Sequence, residues 1–153
     1  AHEYALEHGI DEELEPAIAK SAYHSFWYAK LVLKGPFKLG EKAIAKNTKE
    51  SYYYAKEILN GRFELGEPAI AKNSYYSYSY TFGILNGPFP LGELIIAKNS
   101  YYSLVYANHV LNGPFPLGEK AIAKNAEYSN KYTQDILKKD FILDGKLICK
   151  YEG

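Results

Sequence analysis

The tetrapeptide Ala-Ile-Ala-Lys, or a near copy of it, returns every 26 residues along almost the whole chain. It stands at Ala17–Lys20, Ala43–Lys46, Ala69–Lys72, Ile95–Lys98, Ala121–Lys124 and, as Leu-Ile-Cys-Lys, at Leu147–Lys150, with no insertion or deletion between copies. A fixed period of this length marks stacked supersecondary units, each too small to bury its own apolar face. The pattern predicts an all-α chain. It would be an α-solenoid of about five stacked 26-residue helix-turn-helix repeats in a single domain, residues 1–153. A cap over 1–15 precedes repeats at about 16–41, 42–67, 68–93, 94–119 and 120–145, and a C-terminal cap occupies 146–153.

One unit can be read residue by residue. Gly66-Glu67-Pro68 opens a short helix A, because proline at the first helical position has no N–H to lose. Asn73 then caps a longer helix B over about 74–85, and Asn47, Asn99, Asn125 and Ser21 occupy the equivalent places. The inward stripe of helix B is Ser77, Tyr80 and Ile84, repeated as Ser25/Tyr28/Val32, Ser51/Tyr54/Ile58, Ser103/Tyr106/Val110 and Ser129/Tyr132/Ile136. Leu85 and its copies widen it. Asn86-Gly87-Pro88 ends the helix, with the left-handed conformation expected at the glycine. Phe89 and Leu91 read as an extended connector with both side chains turned inward. Asp144–Lys150 reads as a final helix A, and His2–Ile10 as a worn helix B.

Acidic and basic residues balance at 18 each, which removes the global basic field of a typical nucleic-acid binder. The acidic residues Glu3 to Glu15 crowd the start, and between Asn73 and Gly118 the only formal charges are Glu93 and Lys98. Cys149, the single cysteine, takes the place of a small alanine and reads as a buried hydrophobe. No apolar run approaches the roughly 20 residues of a membrane helix, and Ala1-His2-Glu3-Tyr4 does not open like a signal peptide, so a cytoplasmic location is expected.

The stretch Tyr54-Ala55-Lys56-Glu57-Ile58-Leu59-Asn60-Gly61-Arg62-Phe63, followed by Gly66-Glu67-Pro68-Ala69-Ile70-Ala71-Lys72, resembles short helical repeats in uncharacterised proteins of tailed bacteriophages and some bacteria. Those relatives often open helix B with Asp-Pro and carry Arg-Trp in the connector, where this chain mostly has Asn-Ser and Pro-Phe. The resemblance implies an α-solenoid of phage type and transfers no catalytic residue. The regularity of the units is also compatible with a consensus-like engineered array.

Two periodic features carry the functional reading. Lys20, Lys46, Lys72, Lys98, Lys124 and Lys150 form a ladder that is expected to pair with Glu15, Glu41, Glu67, Glu93 and Glu119; the alternative is a row that tracks phosphates. The tyrosines are the stronger lead. Tyr75, Tyr76, Tyr78, Tyr101 and Tyr102, with Tyr52, Tyr53 and Trp27, fall outside or beside the core stripe and are the candidate binding residues, inter-repeat ring stacking being the alternative. No zinc signature, phosphate loop or nucleophile elbow is present, so neither metal, cofactor nor enzymatic activity is expected. The expected function is a non-enzymatic scaffold for a protein partner, in a phage setting a modulator of a host protein. The alternatives are a nucleic-acid binder using the Lys and Tyr ladders, and a self-assembling chain that stacks head to tail into filaments.

Overall fold

The structure, a computed structural model, describes residues 13–153; the expected worn helix at His2–Ile10 and most of the cap over 1–15 lie outside the described residues. The chain divides into two compact units, Ala1–Lys72 and Asn73–Gly153, both built from the expected helical repeat. In the first, short A helices at Glu15–Ile18, Glu41–Ile44 and Glu67–Ile70 alternate with B helices that begin at Ala22–Tyr28 and Thr48–Tyr53. In the second, B helices begin at Ser74–Tyr80, Ser100–Tyr106 and Ala126–Lys131, with A helices at Pro90–Ile96 and Glu119–Ile122.

The capping asparagines act as the sequence indicates. Asn47, Asn73, Asn99 and Asn125 each accept a bond from a backbone N–H in the first turn of helix B, and Ser21 does so from His24. Helix B is not α-helical throughout. Each one passes into a π-helical turn that begins at its core tyrosine, as at Tyr54–Leu59, or immediately after it, as at Thr81–Leu85 and Ala107–Leu111. The residue that closes this turn is left-handed: Lys34, Asn60, Asn86, Asn112 and Lys138 have φ between 47° and 52°. The following glycine is not left-handed, contrary to the sequence reading, because the wider turn ends one residue earlier. Asparagine takes that conformation at lower cost than most side chains.

The core consists of the repeated serine, tyrosine, isoleucine and phenylalanine. Tyr28, Tyr54, Tyr80, Tyr106 and Tyr132 and the helix A isoleucines Ile18, Ile44, Ile70, Ile96 and Ile122 are fully buried. The Ser25, Ser51, Ser103 and Ser129 hydroxyls donate to the carbonyls of Ile18, Ile44, Ile96 and Ile122 at 2.9–3.1 Å. These bonds fasten four of the B helices to the helix A before each of them. Gly40, Gly66, Gly92 and Gly118 are used differently from the glycines at the helix exits. A Cβ on Gly118 would lie 2.5 Å from Phe115 Cδ1 and 2.6 Å from Ser103 Cβ, so no larger residue fits.

The connector also departs from expectation. Phe37, Phe63, Phe89 and Phe115 are buried, but Leu39, Leu65, Leu91 and Leu117 are more than half exposed. The chain after each phenylalanine curls into a helical turn, such as Lys38–Gly40 or Pro116–Gly118, so residues two apart no longer face the same side.

The last unit ends in strands where a helix A was expected. β1 (Phe141–Leu143) pairs antiparallel with β2 (Lys146–Cys149), with Leu143 opposite Lys146. Asp144 and Gly145 both have positive φ, 49° and 77°, the backbone of a two-residue hairpin turn. Asp144 occupies the place of the obligatory glycine, and Gly145 that of the helix-opening glutamate. With a side chain at 144 the close approach that starts helix A is sterically closed, and Asp-Gly supplies the alternative turn. Cys149 is accordingly half-buried in β2 rather than enclosed within a helix. The tail is held by the preceding helix B: Gln134 Nε2 donates to the Lys150 carbonyl at 3.0 Å, and Glu152 N–H donates to Gln134 Oε1 at 3.2 Å. Restoring the repeat residues, with Asp144→Gly and Gly145→Glu together, is expected to turn 144–150 into a helix. Backbone 13Cα shifts across 144–150 report this directly, and retained strand shifts would count against a steric origin for the hairpin.

Candidate binding surface

In the second unit two B helices open with a tyrosine pair, Tyr75-Tyr76 and Tyr101-Tyr102, and the third carries Tyr128 in its first turn. Tyr75 and Tyr101 are 46% and 48% exposed, and Tyr76, Tyr78, Tyr102 and Tyr128 are half-buried. The rings form a zigzag. Centroids of Tyr76 and Tyr75 are 5.0 Å apart, Tyr75 and Tyr102 6.2 Å, Tyr102 and Tyr101 5.3 Å, and Tyr101 and Tyr128 6.1 Å. Most of these contacts are edge-to-face, the arrangement that the ring quadrupole favours. The row therefore combines the two readings of the sequence: the rings stack between repeats and still leave ring area in water.

Tyr78 extends the row along helix B. It lies 5.8 Å from Tyr102 and stacks on Phe82 at 6.2 Å with an interplanar angle of 17°. Its hydroxyl is 3.1 Å from His109 Nδ1. Burial first, then the neighbouring Tyr101, holds the Tyr78 phenol above its ordinary pKa; burial, then Tyr101 and Tyr75, does the same for Tyr102. Both stay protonated at neutral pH.

In the first unit the candidates are placed differently. Tyr52 is buried and belongs to the core, because its ring turns inward beside Tyr53 at 5.2 Å. Tyr53 and Trp27 are half-buried. Phe26, Trp27, Lys30, Lys49, Tyr53 and Glu57 line a cleft of about 180 Å³. Lys30 crosses it, 5.1 Å from the Trp27 ring and 2.6 Å from Glu57. That ammonium lies over the Phe26 and Trp27 rings, at 5.7 and 5.1 Å from their centroids.

The expected Lys–Glu pairing is absent among the described residues. Lys20, Lys46, Lys72, Lys98 and Lys124 are exposed and make no ion pair there. The glutamates turn inward instead. Glu15, Glu41, Glu93 and Glu119 accept bonds from the hydroxyls of Tyr28, Tyr54, Tyr106 and Tyr132 at 2.7–3.0 Å. Glu67 receives a bidentate contact from Arg62, at 2.6 and 3.0 Å. The ladder lysines stand at the far end of the same short helix, and where a glutamate beside a core phenol does take a lysine it is a nearer one: Lys38 reaches Glu41 at 2.9 Å.

Phe82 and His109 were not singled out by the sequence, although a signal exists. Phe82 is 60% exposed and stands where the other repeats carry Lys30, Lys56, Asn108 and Gln134. It is an apolar residue at a position that is polar in the other four repeats. Gly83 beside it lies mid-helix with nothing near its Cβ direction, so it is an exception to the structural use of glycine at helix ends. Among the described residues no three His, Cys, Asp or Glu side chains converge as metal ligands, and no helix is long and apolar enough to cross a membrane. No family model, curated protein or solved structure matches the chain.

Proposed function

We propose that the chain is a non-enzymatic repeat scaffold that binds a protein partner through the tyrosine row of the Asn73–Gly153 unit. The support is the zigzag of five rings from Tyr76 to Tyr128, with Tyr75 and Tyr101 half exposed in the two repeats that carry almost no charge. Tyrosine offers large rigid area and a hydroxyl at low entropic cost, which is why it is enriched at contact surfaces. Exposed Leu91, Leu94 and Leu117 add apolar area to the same unit. In a phage setting, the partner is a host protein whose activity this chain modulates.

The test is a paired capture from bacterial lysate, read by quantitative mass spectrometry. Tyr75→Ala with Tyr101→Ala is expected to deplete the captured partner at least about tenfold, as loss of two interface anchors does. Tyr23→Ala, an equally exposed ring of the first unit, is expected to leave capture unchanged. Equal depletion by all variants, or by none, would count against the tyrosine row.

A nucleic-acid reading has one observation in its favour: the lysine ladder carries no carboxylate partners among the described residues. It requires affinity for oligonucleotides that collapses with added salt.

A further inference from the structure

Three B helices exit through Asn-Gly: Asn60-Gly61, Asn86-Gly87 and Asn112-Gly113, with each asparagine exposed. In a flexible chain this pair modifies itself. The glycine nitrogen gives up its proton to solvent base and attacks the asparagine Cγ. The N–Cγ bond forms, the Cγ–Nδ2 bond breaks, and ammonia leaves a cyclic imide behind. Water then opens the ring. Cleavage at Cγ gives aspartate; cleavage at the main-chain carbonyl carbon gives isoaspartate, whose backbone runs through Cβ. Glycine favours the attack because it has no Cβ to hinder it and turns freely.

The fold holds all three pairs in a geometry that blocks this attack. The asparagines have φ 47–50° and ψ 40–42°. A left-handed L-residue carries Cβ beside its own carbonyl oxygen. In a planar peptide unit that oxygen and the next nitrogen lie on opposite sides of the carbonyl carbon, so the glycine nitrogen is turned away from Cβ. The nitrogen is also engaged. The N–H groups of Gly61, Gly87 and Gly113 donate to the Ala55, Thr81 and Ala107 carbonyls at 3.0, 3.2 and 3.1 Å. Ring closure therefore requires a large ψ rotation and loss of that bond, which undoes the end of the π-helical turn. Lys34 and Lys138 keep the same backbone at the equivalent exits, with φ 52° and 50°, so the repeat imposes it on whichever side chain is present. Three residues beyond each asparagine stands a buried phenylalanine, Phe63, Phe89 or Phe115. Aspartate can keep the left-handed backbone. Isoaspartate adds a methylene to the main chain between helix B and that phenylalanine, and the register of the exit is lost.

We infer that Asn60, Asn86 and Asn112 are latent self-modification sites, silent while helix B is closed and converted to aspartate and isoaspartate when its exit opens, and that isoaspartate then keeps the opened repeat from reclosing. The test incubates the full chain at mildly alkaline pH, in buffer and in urea, and follows each asparagine by chromatographic peptide mapping with mass spectrometry against synthetic isoaspartyl standards. In urea the three Asn-Gly sites should react ahead of Asn73 and Asn99, each of which precedes a serine. In buffer each of the three should react at least about tenfold more slowly than in urea, because reaction runs only through the open fraction. Chains aged in urea and then refolded should separate on size exclusion, with aspartate at these sites in the folded fraction and isoaspartate enriched in the unfolded one. Similar rates in buffer and urea at these sites, or Asn73 and Asn99 reacting first in urea, overturns the inference. Equal refolding of aspartate and isoaspartate chains overturns the block on reclosing.

Discussion

Gly92→Ala is expected to destabilise the chain by about 3 kcal/mol or more, a large share of the stability of a domain this size. The added Cβ would stand 2.5 Å from Phe89 Cδ1 and 2.9 Å from Ser77 Cβ. Neither neighbour can yield cheaply. Phe89 is buried against Tyr80 at a centroid distance of 5.2 Å, and Ser77 lies on the fully buried stripe of its helix. Relief requires either expelling the phenylalanine or parting helix A from helix B, and each gives up apolar burial of the order that large core deletions cost. The control lies in the same repeat. Gly87 has an ordinary negative φ, and a Cβ there would approach nothing closer than 3.9 Å. Gly87→Ala should therefore change stability by well under about 1 kcal/mol. Urea denaturation of the two variants checks both; similar midpoints would show that the close approach is not a structural constraint.

Tyr106→Phe is the second large effect, expected at about 2–3 kcal/mol. The Tyr106 hydroxyl accepts from the Phe89 N–H at 3.2 Å and donates to Glu93 Oε1 at 2.7 Å. Phenylalanine keeps the packing but leaves a buried backbone donor and a carboxylate without that partner, and unmet buried groups cost more than the bonds contribute. The same hydroxyl makes stability depend on pH. Burial first, then the hydrogen bond and charge of Glu93, hold the Tyr106 pKa well above the ordinary 10.0. Tyr54 and Tyr132 are shifted the same way, with burial the largest cause. A folded-state pKa raised above the unfolded one gives stability that is complete below the unfolded value and lost as pH rises past it. Stability should therefore decline above about pH 10, and Tyr106→Phe should make that decline shallower. Denaturation midpoints measured at neutral and alkaline pH test the sign, and a midpoint that rises with alkali would contradict it.

Both effects depend on contacts that a local reading could not supply. The repeat, the Asn caps and the Ser/Tyr stripe were legible because each is a local or strictly periodic pattern. Tyr80 and Tyr106 recur at the core position in register, and Asn99 precedes its helix wherever a cap is needed. The partner of Glu93 was not legible in the same way. Sequence offered Lys98, five residues on; the fold supplied Tyr106, thirteen residues on, across the packed face. The C-terminal hairpin was misread for a related reason. Leu147-Ile148-Cys149-Lys150 keeps the repeat spacing, and that periodic signal hid the Asp-Gly turn and the lost glycine at 144. The tyrosine row was partly legible. That several rings fall off the core stripe follows from position, but which of them stay in water, that Tyr52 is core and that Phe82 and His109 adjoin the row required side-chain directions.

The period, the alternation of short and long helices, their caps and the Ser/Tyr stripe could be read from the chain alone, because these depend on propensity and spacing within a dozen residues. Packing settled which glycines are obligatory, where each glutamate is held, how the last unit ends, which connector residues turn inward and which aromatic faces stay in water. Those outcomes depend on distances of a few ångströms between residues far apart in the chain, and such distances exist only once the helices have packed.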